Sequence, residues 1–216
     1  MTYEGLRLKL LAYYRKKPAE KRRQQLTNTE FTIISNNCWG GMLYESYALP
    51  KQSPTVGTFF MAEDYIRFCQ DLRRYTASPL TFIDPAASRH ADFLKKDARF
   101  GHYPIGVIDD IEIIFLHYHS EEAARDKWTR RCERILWDKL IVKFNDQNGC
   151  TEEAVRAFAA LPFEHKLFFT IRDWPVEPWP GYCKIRQMTG DECVTASHEP
   201  FGTNRYVDLT GLINSL

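Results

Sequence analysis

The sequence runs to 216 residues, 44% hydrophobic and 26% charged, with a formal net charge of +1. That is enough chain for one well-filled core, and the ordinary globular balance excludes a disordered polymer. A net charge so near zero gives no electrostatic reason to expect a nucleic-acid partner. Aromatic residues make up 14%, with 14 Phe, 11 Tyr and 5 Trp, which fits a thick core before it fits a stacking surface. The longest apolar stretch, around Ile113 to Leu116, is far short of the ~20 residues of a spanning helix. The N-terminal apolar stretch is interrupted by Arg7 and Lys9 and lacks a small-residue cleavage site, so it does not read as a signal peptide. Six cysteines without a C-x-x-C pair are read as reduced thiols of a soluble cytoplasmic protein.

In chain order, Leu6, Leu10, Tyr13 and Tyr14 fall at helical spacing, and Pro18 ends that helix. With Arg15, Lys16, Lys17, Lys21, Arg22 and Arg23 they make residues 1–27 a basic amphipathic helical segment. Residues 6–23 suit a peripheral contact with an anionic membrane; a solvated helix packed on the domain edge fits the same pattern. From Phe31 the pattern turns to strands alternating with helices. Phe31 to Ser35 predicts a buried strand, Met42 to Leu49 a helix, and Val56 to Phe60 a second strand. A helix is expected over Ala62 to Tyr75 and a strand over Leu80 to Ile83, while residues 84–103 carry no clear element. Ile105 to Ile108 and Ile111 to Tyr118 read as strands on either side of Asp109-Asp110. Ser120 caps a helix reaching about Ile135, with Glu121 and Glu122 favouring its dipole. Leu140 to Phe144 and Lys166 to Thr170 are strands around a helix that Thr151 caps and Pro162 stops. The expected fold over residues 28–216 is a single α/β domain: three layers, a largely parallel sheet and helices on both faces, Rossmann-like. A tail rich in Pro and Trp from Trp174 wraps it.

In such a sheet ligands bind beyond the carboxyl ends of the strands, and three segments fall there. The first is Asn36-Asn37-Cys38-Trp39-Gly40-Gly41. Its glycines expose backbone N–H groups to an anion or oxyanion, its asparagines add donors, and a helix N-terminus favours the Cys38 thiolate. The second is Asp109, Asp110 and Glu112, carboxylates that could hold Mg²⁺ or Mn²⁺, or orient a histidine. The third is His117 and His119, on one face, either of which could act as general base. Downstream, Arg130 and Arg131 on the following helix suit the phosphates of a donor.

Taken together and in order, these segments resemble one family. They comprise Ser35 to Gly41, Ser53-Pro54, Asp64-Tyr65-Ile66, Tyr103 to Gly106, Asp109 to Ile113 and Leu116-His117-Tyr118. Lys127-Trp128 with Arg130-Arg131, Gly149 to Glu153 and Leu161-Pro162-Phe163 complete the set. The sequence is similar over about residues 28–172 to the bacterial domain of unknown function 1919, whose label implies a role in exopolysaccharide or capsule biosynthesis. The Asn-Cys opening also resembles a capsule acetyltransferase family that binds coenzyme A, with Trp39 in place of Gln, and this favours acyl transfer.

The expected function is therefore a cytoplasmic transferase, peripheral to the membrane if residues 6–23 dock, that modifies a sugar or polysaccharide precursor by acyl transfer from acyl-coenzyme A. Cys38 would be nucleophile, His117 base and Asp110 its orienter. Asn36, Asn37, Trp39, Gly40, Gly41, Arg130 and Arg131 would bind the donor. The alternatives are a glycosyl- or phospho-transferase with Mg²⁺ or Mn²⁺ on Asp109, Asp110 and Glu112, and a non-catalytic partner of the assembly machinery.

Overall fold

The computed structural model describes residues 3–186 and 193–216. Helix α1 (Tyr3–Lys16) stops short of Pro18 and α2 (Ala19–Arg23) starts after it, as the steric bias of the residue before proline requires. Strand β1 (Thr32–Ser35) is buried throughout. Helix α3 (Trp39–Ser46) begins three residues before the predicted start at Met42, so Trp39, Gly40 and Gly41 form its first turn.

The predicted strand at Val56 to Phe60 is instead an irregular strap, joined to the domain's strands by a single bridge, Phe59 to Ile114. The cause is local: the chain turns after Pro54 and Gly57 takes φ +82°. The helix predicted as one unit is two, α4 (Ala62–Gln70) and α5 (Leu72–Ala77). Asp71 breaks it, leaving helical geometry and accepting the Arg74 N–H with its side chain, the usual behaviour of an N-cap.

Strand β2 (Thr81–Ile83) precedes the unassigned segment, which holds a 3₁₀ turn at Pro85–Ala87 and a short α6 (Ala91–Leu94). Strands β3 (Ile105–Ile108) and β4 (Ile111–Ile114) follow. Then come α7 (Glu121–Cys132), β5 (Leu140–Asn145), α8 (Glu152–Ala160) and β6 (His165–Thr170). Ser120 and Thr151 cap α7 and α8 by accepting the Ala123 and Ala154 N–H groups, both at 3.2 Å. The tail adds β7 (Tyr182–Lys184) and α9 (Leu209–Asn214).

The strands do not form one sheet. Strands β1, β5, β6 and β7 make a parallel sheet in the order β1-β5-β6-β7, while β2, β3 and β4 make a separate antiparallel one. The two-residue link Asp109-Asp110, with Asp109 at φ +51°, can join β3 to β4 only as a hairpin. Alternate residues of the parallel strands enter different cores. Ile34, Val142 and Phe168 pack with residues of α4, α7 and α8, whereas Ile33, Ile141 and Phe169 pack with residues of α3 and α9. Burial on both faces is the mark of parallel strands covered by helices. The tail contributes Val194, Leu209 and Ile213 to the second core, while Trp174 and Trp179 lie against the first.

Candidate functional site

Strands β1 and β5 run parallel in register, Thr32 opposite Leu140 and Ser35 opposite Lys143, so the loops after Ser35 and Asn145 emerge at the same edge. Cys38 stands at the N-cap position of α3. Its Sγ lies 3.1 Å from His117 Nε2, although 79 residues separate them. The strap delivers the histidine. The His117 N–H donates to Gly57 O at 3.1 Å, and Ile114 and Phe59 exchange backbone bonds of 2.9 and 3.0 Å.

Gly57 is required there twice over. Its φ of +82° is costly for any other residue, and a Cβ would come within 3.0 Å of Tyr118 Cε2. Gly57→Ala is expected to cost ~1–3 kcal/mol, read as a lower midpoint of thermal unfolding. A variant as stable as the parent would show that the strap yields freely.

The pair opens into a cavity of about 420 Å³ lined by Gly41, Tyr118 and four cations, Arg15, Lys51, Lys127 and Arg131. The one acidic residue in this lining, Glu45, is shared among Lys51 at 2.6 Å, Lys16 at 3.7 Å and Arg15 at 3.8 Å. Arg131 Nη1 donates to Tyr118 Oη at 2.7 Å and Val56 O at 3.2 Å, and Lys127 stands 5.5 Å from the Tyr118 ring. Among the described residues, neither Lys127 nor Arg131 pairs with a carboxylate. The cavity is therefore electropositive and suited to an anion.

Burial pushes the Cys38 thiol up to about 11, despite the opposing fields of Arg99 and Lys143. The expectation that the helix terminus would favour thiolate is thus overturned: removing the sulfur from water outweighs the helix N–H groups. Burial, followed by the positive charges of Arg99 and Lys51, holds His117 below its ordinary value. At neutral pH the pair rests as thiol and neutral imidazole.

The other predicted residues are placed differently. Asp110 lies across the length of β4 from His117, accepting from Tyr75 Oη at 2.6 Å and pairing with Arg67 and Arg74 at 3.4 Å each; it does not orient the imidazole. Asp109 accepts from Ser78 Oγ at 3.1 Å, and buried Glu112 accepts from the Arg89 N–H at 3.0 Å and from Ser88 Oγ. Arg74 pairs with both Asp109 and Asp110, at 3.4 Å each, while Glu112 is turned to Ser88 and Arg89; among the described residues no group of three His, Cys, Asp or Glu converges as a cation site. Arg130 faces outward beside Asp126 at 3.8 Å, one position from Arg131 but off the cavity. His119 is exposed and outside the lining.

Asn36, Asn37 and Trp39 are buried and turn away from the cavity. Asn36 Nδ2 donates to Asn145 Oδ1 at 2.8 Å, Asn37 Nδ2 to Gln147 Oε1 at 3.0 Å, and Trp39 Nε1 to Pro200 O at 3.1 Å. Gly40 serves packing, because a Cβ would stand 3.1 Å from that of Ser35. Beneath the loop, fully buried Lys143 meets Glu199 at 2.5 Å, and Glu199 also accepts from Asn145 at 2.6 Å and Asn37 at 3.3 Å. Burial lowers the Lys143 ammonium and raises the Glu199 carboxyl, each opposed by the other's charge. Sequence reasoning passed over Lys143, although a lysine inside the apolar run Leu140 to Phe144 was the signal. Nothing local marks Glu199 or Lys51, and Arg15 is legible only as part of the basic N-terminal segment.

Compared with known proteins, residues 10–211 match the domain of unknown function DUF1919. The chain belongs to this family. The match extends well beyond residues 28–172 and takes in the second half of α1 and the tail that carries Glu199. An uncharacterized protein of Haemophilus influenzae is 35% identical over 162 residues, covering 75% of this chain and 72% of that protein. Among the described residues no helix is long and apolar enough to cross a membrane.

Proposed function

We propose that this DUF1919 protein is a cysteine-dependent acyltransferase taking its acyl group from an anionic thioester donor such as acyl-coenzyme A. The observation that carries the reading is the 3.1 Å contact between Cys38 Sγ and His117 Nε2 at the wall of an electropositive cavity. A nucleophile and base within hydrogen-bond reach, open to substrate, is the arrangement covalent catalysis needs. Lys127 and Arg131 would hold the donor phosphates, in place of the outward-facing Arg130. The acceptor, a sugar hydroxyl of a surface-polysaccharide precursor in the cytoplasm, rests on the family resemblance alone.

The steps follow from the neutral pair. His117 Nε2 takes the Sγ proton as the sulfur attacks the donor carbonyl carbon; the bond to the donor sulfur breaks, and that leaving thiolate takes the proton from His117. The acyl group now rests on Cys38 as a thioester. The acceptor hydroxyl then gives its proton to His117 as its oxygen attacks the same carbon. The bond to Sγ breaks and Sγ recovers the proton. The Trp39 N–H is taken by Asn37 Oδ1 at 3.0 Å, which leaves the Gly40 and Gly41 N–H groups of the first turn of α3 as the backbone donors to meet the oxyanion.

The test is to incubate the protein with acetyl-coenzyme A, quench in acid and map the product by mass spectrometry. One acetyl group on Cys38, absent from His117→Ala at the same time point, is expected. Acetylation confined to lysines, or none, would overturn the reading.

A further inference from the structure

Helix α1 is mounted with its apolar side outward. Leu6, Leu10, Tyr13 and Tyr14 are 50%, 49%, 54% and 65% exposed, and α1 carries five of the seven large hydrophobic side chains that are exposed among the described residues. Positions 6, 10, 13 and 14 follow the i, i+4, i+7, i+8 spacing of one helical face. Water would ordinarily turn such a face toward the core. Here α1 docks through the polar side chains of its last turn, while Leu8 on the side opposite that face is itself 41% exposed: Arg15 Nη1 reaches Met42 Sδ at 3.5 Å, Arg15 and Lys16 pair with Glu45 at 3.8 and 3.7 Å, and Arg22 Nη1 of α2 bonds Arg15 O at 3.0 Å and Ser46 O at 3.4 Å.

We infer that α1 is a peripheral anchor that lays this face on an anionic lipid surface. Charge complementarity selects the occupant. Through residue 23 the chain has eight Lys or Arg against two Glu, and Lys9 on α1 and Lys17 directly after it are exposed. An apolar stripe edged with lysine, with tyrosines amid it, is the composition that sits at a headgroup boundary. The anchor adjoins the cavity, because Arg15 belongs to α1 and also lines the cavity beside Cys38. If the acyltransfer reading holds, an anchored molecule takes its acceptor at the membrane surface, as a lipid-linked precursor. The anchoring itself does not rest on that reading.

The experiment is co-sedimentation of the full chain with phosphatidylcholine vesicles, with and without phosphatidylglycerol. Binding is expected only to the anionic vesicles. The exposed-face double variant Leu10→Glu, Tyr14→Glu should lower the partition at least tenfold while keeping the parent's circular dichroism. Lys9→Glu, Lys17→Glu should weaken it and flatten its dependence on salt, because less of the remaining binding is electrostatic. Cys38→Ser should bind as the parent does, which separates a failed anchor from failed catalysis. Absence of binding, or equal binding by the double variant, would overturn the inference. So would a dimer in sedimentation velocity that the double variant abolishes, since the face would then be covered by a second copy.

Discussion

Cys38→Ala is expected to abolish acyl transfer, and His117→Ala to slow it by ~10²–10⁴-fold, measured as product formed from acetyl-coenzyme A under a fixed acceptor. The pH dependence follows from the resting state of the pair. His117 works as a base only when neutral, and its pKa lies below the ordinary 6.5 because of burial and the charges of Arg99 and Lys51. The rate is therefore expected to hold across neutral pH and to fall as pH drops through that lowered value. The thiol stays protonated over this range, because burial carries it to about 11. Alkylation of the resting protein by iodoacetamide should accordingly be slow at pH 7 and climb toward about 11. A Cys38 that alkylates fast and independently of pH would mean a preformed thiolate and a different division of labour. Turnover that survives Cys38→Ala would remove the covalent step altogether.

The second large effect is on stability. Lys143→Met is expected to cost ~3–5 kcal/mol, because it leaves Glu199 as a buried carboxyl group without its counter-charge. At ~2–4 °C per kcal/mol for a chain of this size, the melting temperature should fall by roughly 10 °C. Adding Glu199→Gln should recover most of the loss: the amide oxygen can still accept from Asn37 and Asn145, while the buried charge is gone. Both are read by thermal unfolding. An unchanged midpoint in Lys143→Met would mean that water reaches this pair and that the polar floor of the Cys38 loop is looser than its burial implies.

The Ser120 and Thr151 caps, the break at Pro18 and the buried strands were legible because each is decided within a few residues. The second sheet was half-legible. Asp109-Asp110 between two apolar runs is a hairpin signal, but the alternation of strand and helix around it favoured a parallel reading. The strap at Val56 to Phe60 was misread because its composition suits a strand, while the turn after Pro54 and the left-handed Gly57 deny it a continuous ladder. At the site, Cys38 and His117 were visible as residue types at strand ends. Asp110 was assigned to His117 on nearness in sequence, and the extended β4 between them carries the two apart.

What the sequence determined by itself is the inventory and the local geometry: the caps, the breaks, the strand edge on which Cys38 sits and the apolar stripe of α1. These depend on short-range sterics and hydrogen bonding, which a dozen residues suffice to specify. Tertiary structure alone decided which of these groups meet. It set His117 against Cys38 across 79 positions, sent Asn36 inward to Asn145 and Asn37 inward to Glu199, and turned the apolar face of α1 away from the core. It also reversed the expected state of the thiol, because desolvation depends on everything packed around a group and cannot be read from its neighbours in the chain.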